Sequence, residues 1–219
     1  MPYILLWDSL GTLAVYGQRL AEAASLRLAA PRLPATPSPE SLWGAIDRHQ
    51  ASLVLTTLPL DARSHWVRTL WTAPCPVLFV PPGFTGTTPP GWAALLADGE
   101  AWEPGWTVAA ALSVLQPWRP VVSAYLLSTS EQSVRSPRGQ QAQAQWAVET
   151  AELPTLLTAP VVATPATALE EVLRRVNQQP VDLLIAVARR RNLPRVAWTR
   201  KALYLLLSQS PVPVLVIPE

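Results

Sequence analysis

The sequence is short of the residues that most often carry chemistry. It has one cysteine and two histidines in 219 residues. The single Cys75 excludes an intramolecular disulfide framework and a multi-cysteine metal site. It also makes a reducing compartment the simpler expectation. Charge is scarce as well: 15% of residues are charged and the net charge is +2, too little to imply a nucleic-acid or membrane partner. No apolar stretch approaches the roughly 18 to 20 residues needed to cross a bilayer. The apolar run Tyr3–Trp7 is stopped by Asp8 and has no positive charge before it, so it does not read as a signal peptide. The expectation is a soluble cytoplasmic protein.

Catalytic signatures are missing too. There is no Gly-x-Ser-x-Gly elbow and no His-Glu-x-x-His pair. His65 stands next to Ser64, but adjacent residues on a helix point about 100° apart, so they do not form a base and nucleophile there. Cys75 lies in an apolar strand-entry segment and reads as core. Glu170 and Glu171 read as a solvated helix face. What is abundant is hydrophobic residue (49%), proline (24) and tryptophan (10). The chain is therefore globular, with prolines punctuating its elements and most tryptophans assigned to packing.

The main signal is internal repetition. TAPCPVLFVP (72–81) and QSPVPVLVIP (209–218) share Pro74/Pro211, Pro76/Pro213, Val77/Val214, Leu78/Leu215 and Pro81/Pro218 at an offset of 137. SLVLTT (52–57) matches DLLIAV (182–187) at an offset of 130, and the same offset aligns SLWGAIDRHQ with EVLRRVNQQP upstream. YILLWDSL (3–10) matches AALLADGE (93–100) at an offset of 90, each an apolar run ending in an acid, Asp8 or Asp98. The changing offsets make the first copy shorter by about one strand and one helix, and again by a seven-residue loop. The boundaries that follow are a trimmed domain over 1–82, a linker over 83–90 drawn from the Pro-, Gly- and Thr-rich PPGFTGTTPPG, and a fuller domain over 91–219.

In the fuller copy, strands are expected at Trp92–Ala97, Pro120–Leu127, Pro160–Ala163, Val181–Val187 and Val212–Ile217. Helices are expected over Trp102–Leu115, Gly139–Leu157 and Thr167–Gln178, with a last one through Leu207. Leu169, Val172, Leu173 and Val176 have the i, i+3, i+4, i+7 spacing of an amphipathic helix. Val181–Val187 is continuously apolar, as in a strand covered on both faces. This alternation predicts an α/β fold: two tandem Rossmann-like parallel-sheet domains, the first trimmed by one strand-helix unit and expected to lack the second strand.

Four features resemble the universal stress protein family: the first strand ending in Asp and a small residue (Asp98-Gly99, Asp8-Ser9), the helix leading into VDLLIAV, the amphipathic helix after it, and the twice-occurring small-Pro-x-Pro-Val-Leu-x-x-Pro segment. The resemblance implies a stress-response module whose subunits pair through their last strands. Within one chain VLFVP and VLVIP would then pair as a pseudo-dimer; between chains the same strands would give self-association or a dimer.

Nucleotide-binding members of that family carry Gly-x2-Gly-x9-Gly-(Ser/Thr), because phosphates are held by backbone N–H groups that only residues without a Cβ let approach closely. Counted back from Pro213, those positions fall on Val187, Arg190, Arg200 and Lys201. In the first copy Ser64 keeps the Ser/Thr position, but Arg63 replaces the glycine before it. Asp8 and Asp98 occupy the place that in nucleotide-binding relatives lies near adenine and ribose. The alternative reading is a carboxylate that caps the following helix.

Arg189, Arg190, Arg191, Arg195, Arg200 and Lys201 surround the former phosphate loop. Either they form a solvated basic loop, or their side chains hold a phosphate or other anion in place of the glycine cradle. The expected function is accordingly a non-enzymatic regulatory protein acting through protein contacts. The second reading is an ATP, AMP or anion sensor using Asp98 and the basic loop. No metal and no required cofactor is expected.

Overall fold

The structure is a computed structural model and describes residues 3–8, 13–31, 39–57, 73–97, 105–128, 137–156, 161–162, 168–188 and 200–218. In chain order the elements are β1 (Tyr3–Trp7), α1 (Ala14–Ala24), β2 (Arg27–Ala29), α2 (Pro39–His49), β3 (Ala51–Thr57) and β4 (Val77–Val80). After the linker come β5 (Trp92–Ala97), α3 (Gly105–Leu112) running into a 3-10 turn at Ser113–Leu115, β6 (Val121–Ser128) and α4 (Pro137–Thr150). The chain ends with β7 (Thr155–Leu156), β8 (Val161–Val162), α5 (Ala168–Gln178), β9 (Leu183–Ala188), α6 (Arg200–Gln209) and β10 (Val214–Pro218).

The strands form one sheet in the order β2-β1-β3-β4-β10-β9-β5-β6-β7, with β8 also pairing with β6. Among the described residues every strand pairing is parallel except one. β4 and β10 run antiparallel, with Val77 opposite Val216, Leu78 opposite Leu215 and Phe79 opposite Val214. VLFVP therefore pairs with VLVIP inside a single chain. The strands before the seam run one way and those after it the other, so the carboxyl ends of β1 and β3 lie at the opposite edge of the sheet from those of β5 and β9.

Alternating residues on each strand feed two cores, one per face. One core joins Leu5, Trp7, Val54, Val77 and Phe79 to Leu184, Ala186, Val214 and Val216, and it lies beneath α2, α5 and α6. The other joins Ile4, Leu6, Leu53, Leu55 and Leu78 to Leu95, Ile185, Leu215 and Ile217, and it lies beneath α1, α3 and α4. All six residues of β9 are buried, which is what the apolar run VDLLIAV anticipates.

On α1 the buried residues are Tyr16, Gly17, Leu20 and Ala21, one stripe of the helix. Gly17 belongs there because a Cβ would meet the Leu55 side chain at 3.0 Å and Leu28 at 3.4 Å. Its missing side chain lets α1 lie close on the sheet. The linker is fixed at both ends. Phe84 packs edge-on against Tyr16, with ring centroids 5.3 Å apart. At the far end Asp182 accepts hydrogen bonds from the Gly91 and Trp92 N–H groups, both at 3.0 Å. Trp118 ties the halves together across the same face, its indole N–H donating to the Leu20 carbonyl at 3.0 Å.

Three expectations need correcting. The trimmed half does have a strand beside its first: β2 pairs in parallel with β1 as β6 does with β5. The unit it lacks, among the described residues, corresponds to the outer β7–β8 strands. Next, the helix expected over Gly139–Leu157 ends at Thr150, where Glu152 turns into the left-handed region at φ 55° and the Leu153 N–H reaches back to the Val148 carbonyl. Lastly, the segment after that turn forms the short strand β7.

Candidate functional site

In an open parallel sheet a ligand crevice forms outside the carboxyl ends of the strands, where successive crossovers leave in opposite directions. Here α1 and α2 cover opposite faces on either side of β1, so the first half has this point between β1 and β3. The second half has it between β5 and β9.

At the first point, the Asp8 carboxylate accepts a hydrogen bond from the Leu13 N–H at 2.7 Å. Leu13 directly precedes α1, has φ −96° and ψ −1°, and contributes no side-chain cap of its own. The carboxylate from the strand end thus serves one of the N–H groups at the helix entrance that have no intrahelical acceptor. Beside it the buried Thr56 hydroxyl lies 2.7 Å from the Trp7 carbonyl and 3.1 Å from that of Thr57, closing the strand ends. Ser64 lies outside the described residues.

At the second point, Val187 is a buried strand residue. Its backbone is in register with Ile217 of β10 and its side chain belongs to the core beneath α3 and α4. A position inside a ladder with its side chain in the core is not a turn that exposes N–H groups to a phosphate. Arg200 and Lys201 fall within α6 (Arg200–Gln209). Asp98, Arg190 and the rest of the arginine cluster lie outside the described residues. Among the described residues no group of three His, Cys, Asp or Glu is placed to hold a metal ion. No described helix is long and apolar enough to cross a membrane.

One cluster was not singled out by the sequence reading. Trp7 and Thr56 are register partners on β1 and β3. Alternation puts both side chains on the face that α2 covers, and Trp43 of α2 packs against the same core. Trp7 is 5% exposed and Thr56 6% exposed. Among the described residues, the indole N–H groups of Trp7 and Trp43 are buried without an acceptor.

The order of the sheet decides the comparison with known structures. The second half is a parallel run in the order β10-β9-β5-β6-β7, joined through its last strand to the shorter first half. The chain has the universal stress protein fold. A putative universal stress protein from Pseudomonas aeruginosa UCBPP-PA14 superposes with a TM-score of 0.62 at 11% identity, over 100% of this chain and 93% of that one. A universal stress protein from Archaeoglobus fulgidus DSM 4304 gives 0.61 at 13% identity, over 99% of this chain and 86% of that one. A functionally unknown protein from Pseudomonas aeruginosa PAO1 gives 0.56 at 12% identity, over 98% and 81%. No family model matches the sequence, and a search of the curated proteins returns no match. The likeness to the universal stress protein fold runs across both sides of the β4–β10 seam, since it covers nearly the whole chain.

Proposed function

We propose that the protein is a non-enzymatic regulatory module of the stress-response type, built as two fused domains, that has given up the glycine phosphate loop and works through contacts with a protein partner in the cytoplasm. The observation that carries this reading is Val187. The position that aligns with the first glycine of the phosphate motif is held in the β9–β10 ladder with its side chain in the core. The other three positions are Arg190, Arg200 and Lys201, none of which lets a phosphate approach the backbone as glycine does. In the first half Asp8 supports the same reading, since its carboxylate serves the entrance of α1. Fusion is supported by the repeat, whose last strands pair with each other within the chain. Because β4 and β10 each have two hydrogen-bonded neighbours, neither offers a free edge for self-association, and the partner surface lies elsewhere.

The test is calorimetric titration of the full chain with ATP, ADP, AMP and cyclic nucleotides. The proposal expects no binding to any of them. It also expects that restoring the motif (Val187→Gly, Arg190→Gly, Arg200→Gly and Lys201→Ser together) does not reduce affinity, because there is none to lose. Micromolar binding by the unaltered chain supports a second reading, an anion sensor, which the two cations of α6, Arg200 and Lys201, favour. In that case Arg190→Ala with Arg200→Ala abolishes the binding.

A further inference from the structure

Helix α1 has little support of its own. Its 11 residues are fewer than an isolated helix needs to persist in water. Gly17 sits in its middle, where glycine is about 1 kcal/mol poorer than alanine. The first turn holds no acidic residue and the last turn no basic one. The helix ends on Ser25 at φ 53°, a left-handed conformation that suits glycine. The Arg19–Glu22 ion pair is exposed on both sides and adds little. The strand that follows, β2, pairs with β1 over three residues and is the outermost strand of the first half. Its equivalent β6 pairs with β5 over six residues and is itself flanked by β7 and β8. Among the described residues the first half lacks that outer cover, so α1 and β2 stand at an edge of the sheet.

Two of the groups that hold α1 down come from outside the first half. The linker is built to present one ring. The Phe84 N–H donates to the Pro81 carbonyl at 3.1 Å and Gly83 has φ 80°, the type II turn that favours Pro82 and Gly83 at its centre. A Cβ on Gly86 would lie 2.3 Å from the Phe84 ring, so the chain runs directly against it. That ring meets Tyr16 of α1 edge-on. The far end of the linker is fixed to the second half through Asp182. One helical turn beyond Tyr16, the Leu20 carbonyl accepts from the indole N–H of Trp118, a residue of the second half. Tyr16 and Leu20 lie at i and i+4 on one stripe of α1. The linker grips one and the second half grips the other.

We propose that α1 and β2, residues 14–29, form a flap that opens from the edge of the sheet while the rest of the fold stays intact, and that Phe84 and Trp118 are the latch that keeps it shut. Moving elements are drawn from the least stable parts of a fold, and this unit has little internal support. Opening uncovers the face of β1 and β3 that carries Ile4, Leu6, Leu53 and Leu55. Because the latch belongs to the linker and the second half, a change there is transmitted to the first half. The flap goes beyond the regulatory reading and does not depend on it, since it contains none of the glycine-motif positions and neither Asp8 nor Asp98.

The experiment is hydrogen exchange of the full chain, followed by mass spectrometry. In the unaltered protein the protection of α1 and β2 is expected to be at least about a hundredfold lower than that of β3 and β10. Phe84→Ala removes the edge-on ring contact and is expected to lower the protection of α1 about tenfold further, with β9 and β10 unchanged. Trp118→Phe keeps a ring but loses the N–H, and should give the same selective loss at about fivefold. Equal protection of α1, β2 and β3 in the unaltered chain would overturn the proposal, because the unit would then open only with the whole fold. Variants that leave α1 unchanged, or that loosen every strand alike, would also overturn it. If Phe84→Ala fails to fold, the unaltered chain and Trp118→Phe still decide.

Discussion

Leu78 lies directly opposite Leu215 in the antiparallel pair that joins the halves, and these two residues are also each other's equivalents in the sequence repeat. Val77 is the equivalent of Val214 and Phe79 that of Val216, yet the ladder crosses them, Val77 facing Val216 and Phe79 facing Val214. Only a two-fold axis through the Leu78–Leu215 pair satisfies both relations. The seam is symmetric at its centre even though the halves differ in length.

Both leucines are almost fully buried. Leu78→Ala and Leu215→Ala are each expected to cost about 2–5 kcal/mol, the transfer and cavity terms of a core leucine. Because the residues are neighbours, the double variant is expected to differ from the sum of the singles by at least about 0.5 kcal/mol. Urea denaturation of the four proteins measures this, and strict additivity would contradict contact across the seam.

Gly17→Ala tests the close approach of α1 to the sheet. Helix propensity alone favours alanine by about 1 kcal/mol. Against it stands the contact of the new Cβ with Leu55 at 3.0 Å in a packed core, an overpacking cost of about 1–3 kcal/mol. The expected outcome is a net loss of stability, read as a lower denaturation midpoint. A rise in the midpoint would show that Leu55 and Leu28 move aside without cost.

Asp8→Ala removes the acceptor for the Leu13 N–H and is expected to cost about 0.5–2 kcal/mol, the range for losing a helix-entrance acceptor. Asp8→Asn keeps a carbonyl oxygen and should recover most of that loss. Equal stability of all three proteins would mean that the carboxylate has no capping role.

Alkaline pH should destabilise the fold. Burial pushes the Cys75 thiol up to about 12 from its ordinary 9.0. Tyr16 is also pushed up, by burial first and then by the charge of Asp182. Both groups are neutral acids held protonated by folding. Their contribution is therefore complete below the unfolded value and is lost as pH rises toward the folded one. For Cys75 the window runs from 9.0 to about 12. Stability measured against pH should fall across it, and Cys75→Ala should flatten the fall. A profile unchanged by Cys75→Ala would place the alkaline loss elsewhere.

The repeat showed which strands are equivalent, and the family resemblance implied that the last strands of the two copies pair, as β4 and β10 do. What escaped has a common physical cause. The helices before β2, β3 and β7, and the turn before β6, end in left-handed residues that are not glycine: Ser25, Gln50, Glu152 and Arg119. Glycine is the usual signal for such an end, so α4 read as seven residues too long and β7 was hidden inside it. β2 has three residues, too few for alternation to show. At the site, Asp8 was legible by position, while Trp7, Trp43 and Thr56 were absorbed into general packing. Comparing the copies position by position sets them apart, since the repeat offsets put Ala97, Leu173 and Ala186 in their places.

The loss of nucleotide binding is tested most directly on protein taken fresh from the cell. The purified chain is denatured, the supernatant is separated, and released nucleotides are quantified against protein. The account predicts none, because Val187 is locked in the β9–β10 ladder and the aligned motif contains no glycine. Stoichiometric ATP, ADP, AMP or cyclic nucleotide would contradict it, and would mean that arginine side chains have taken over the work of the glycine loop.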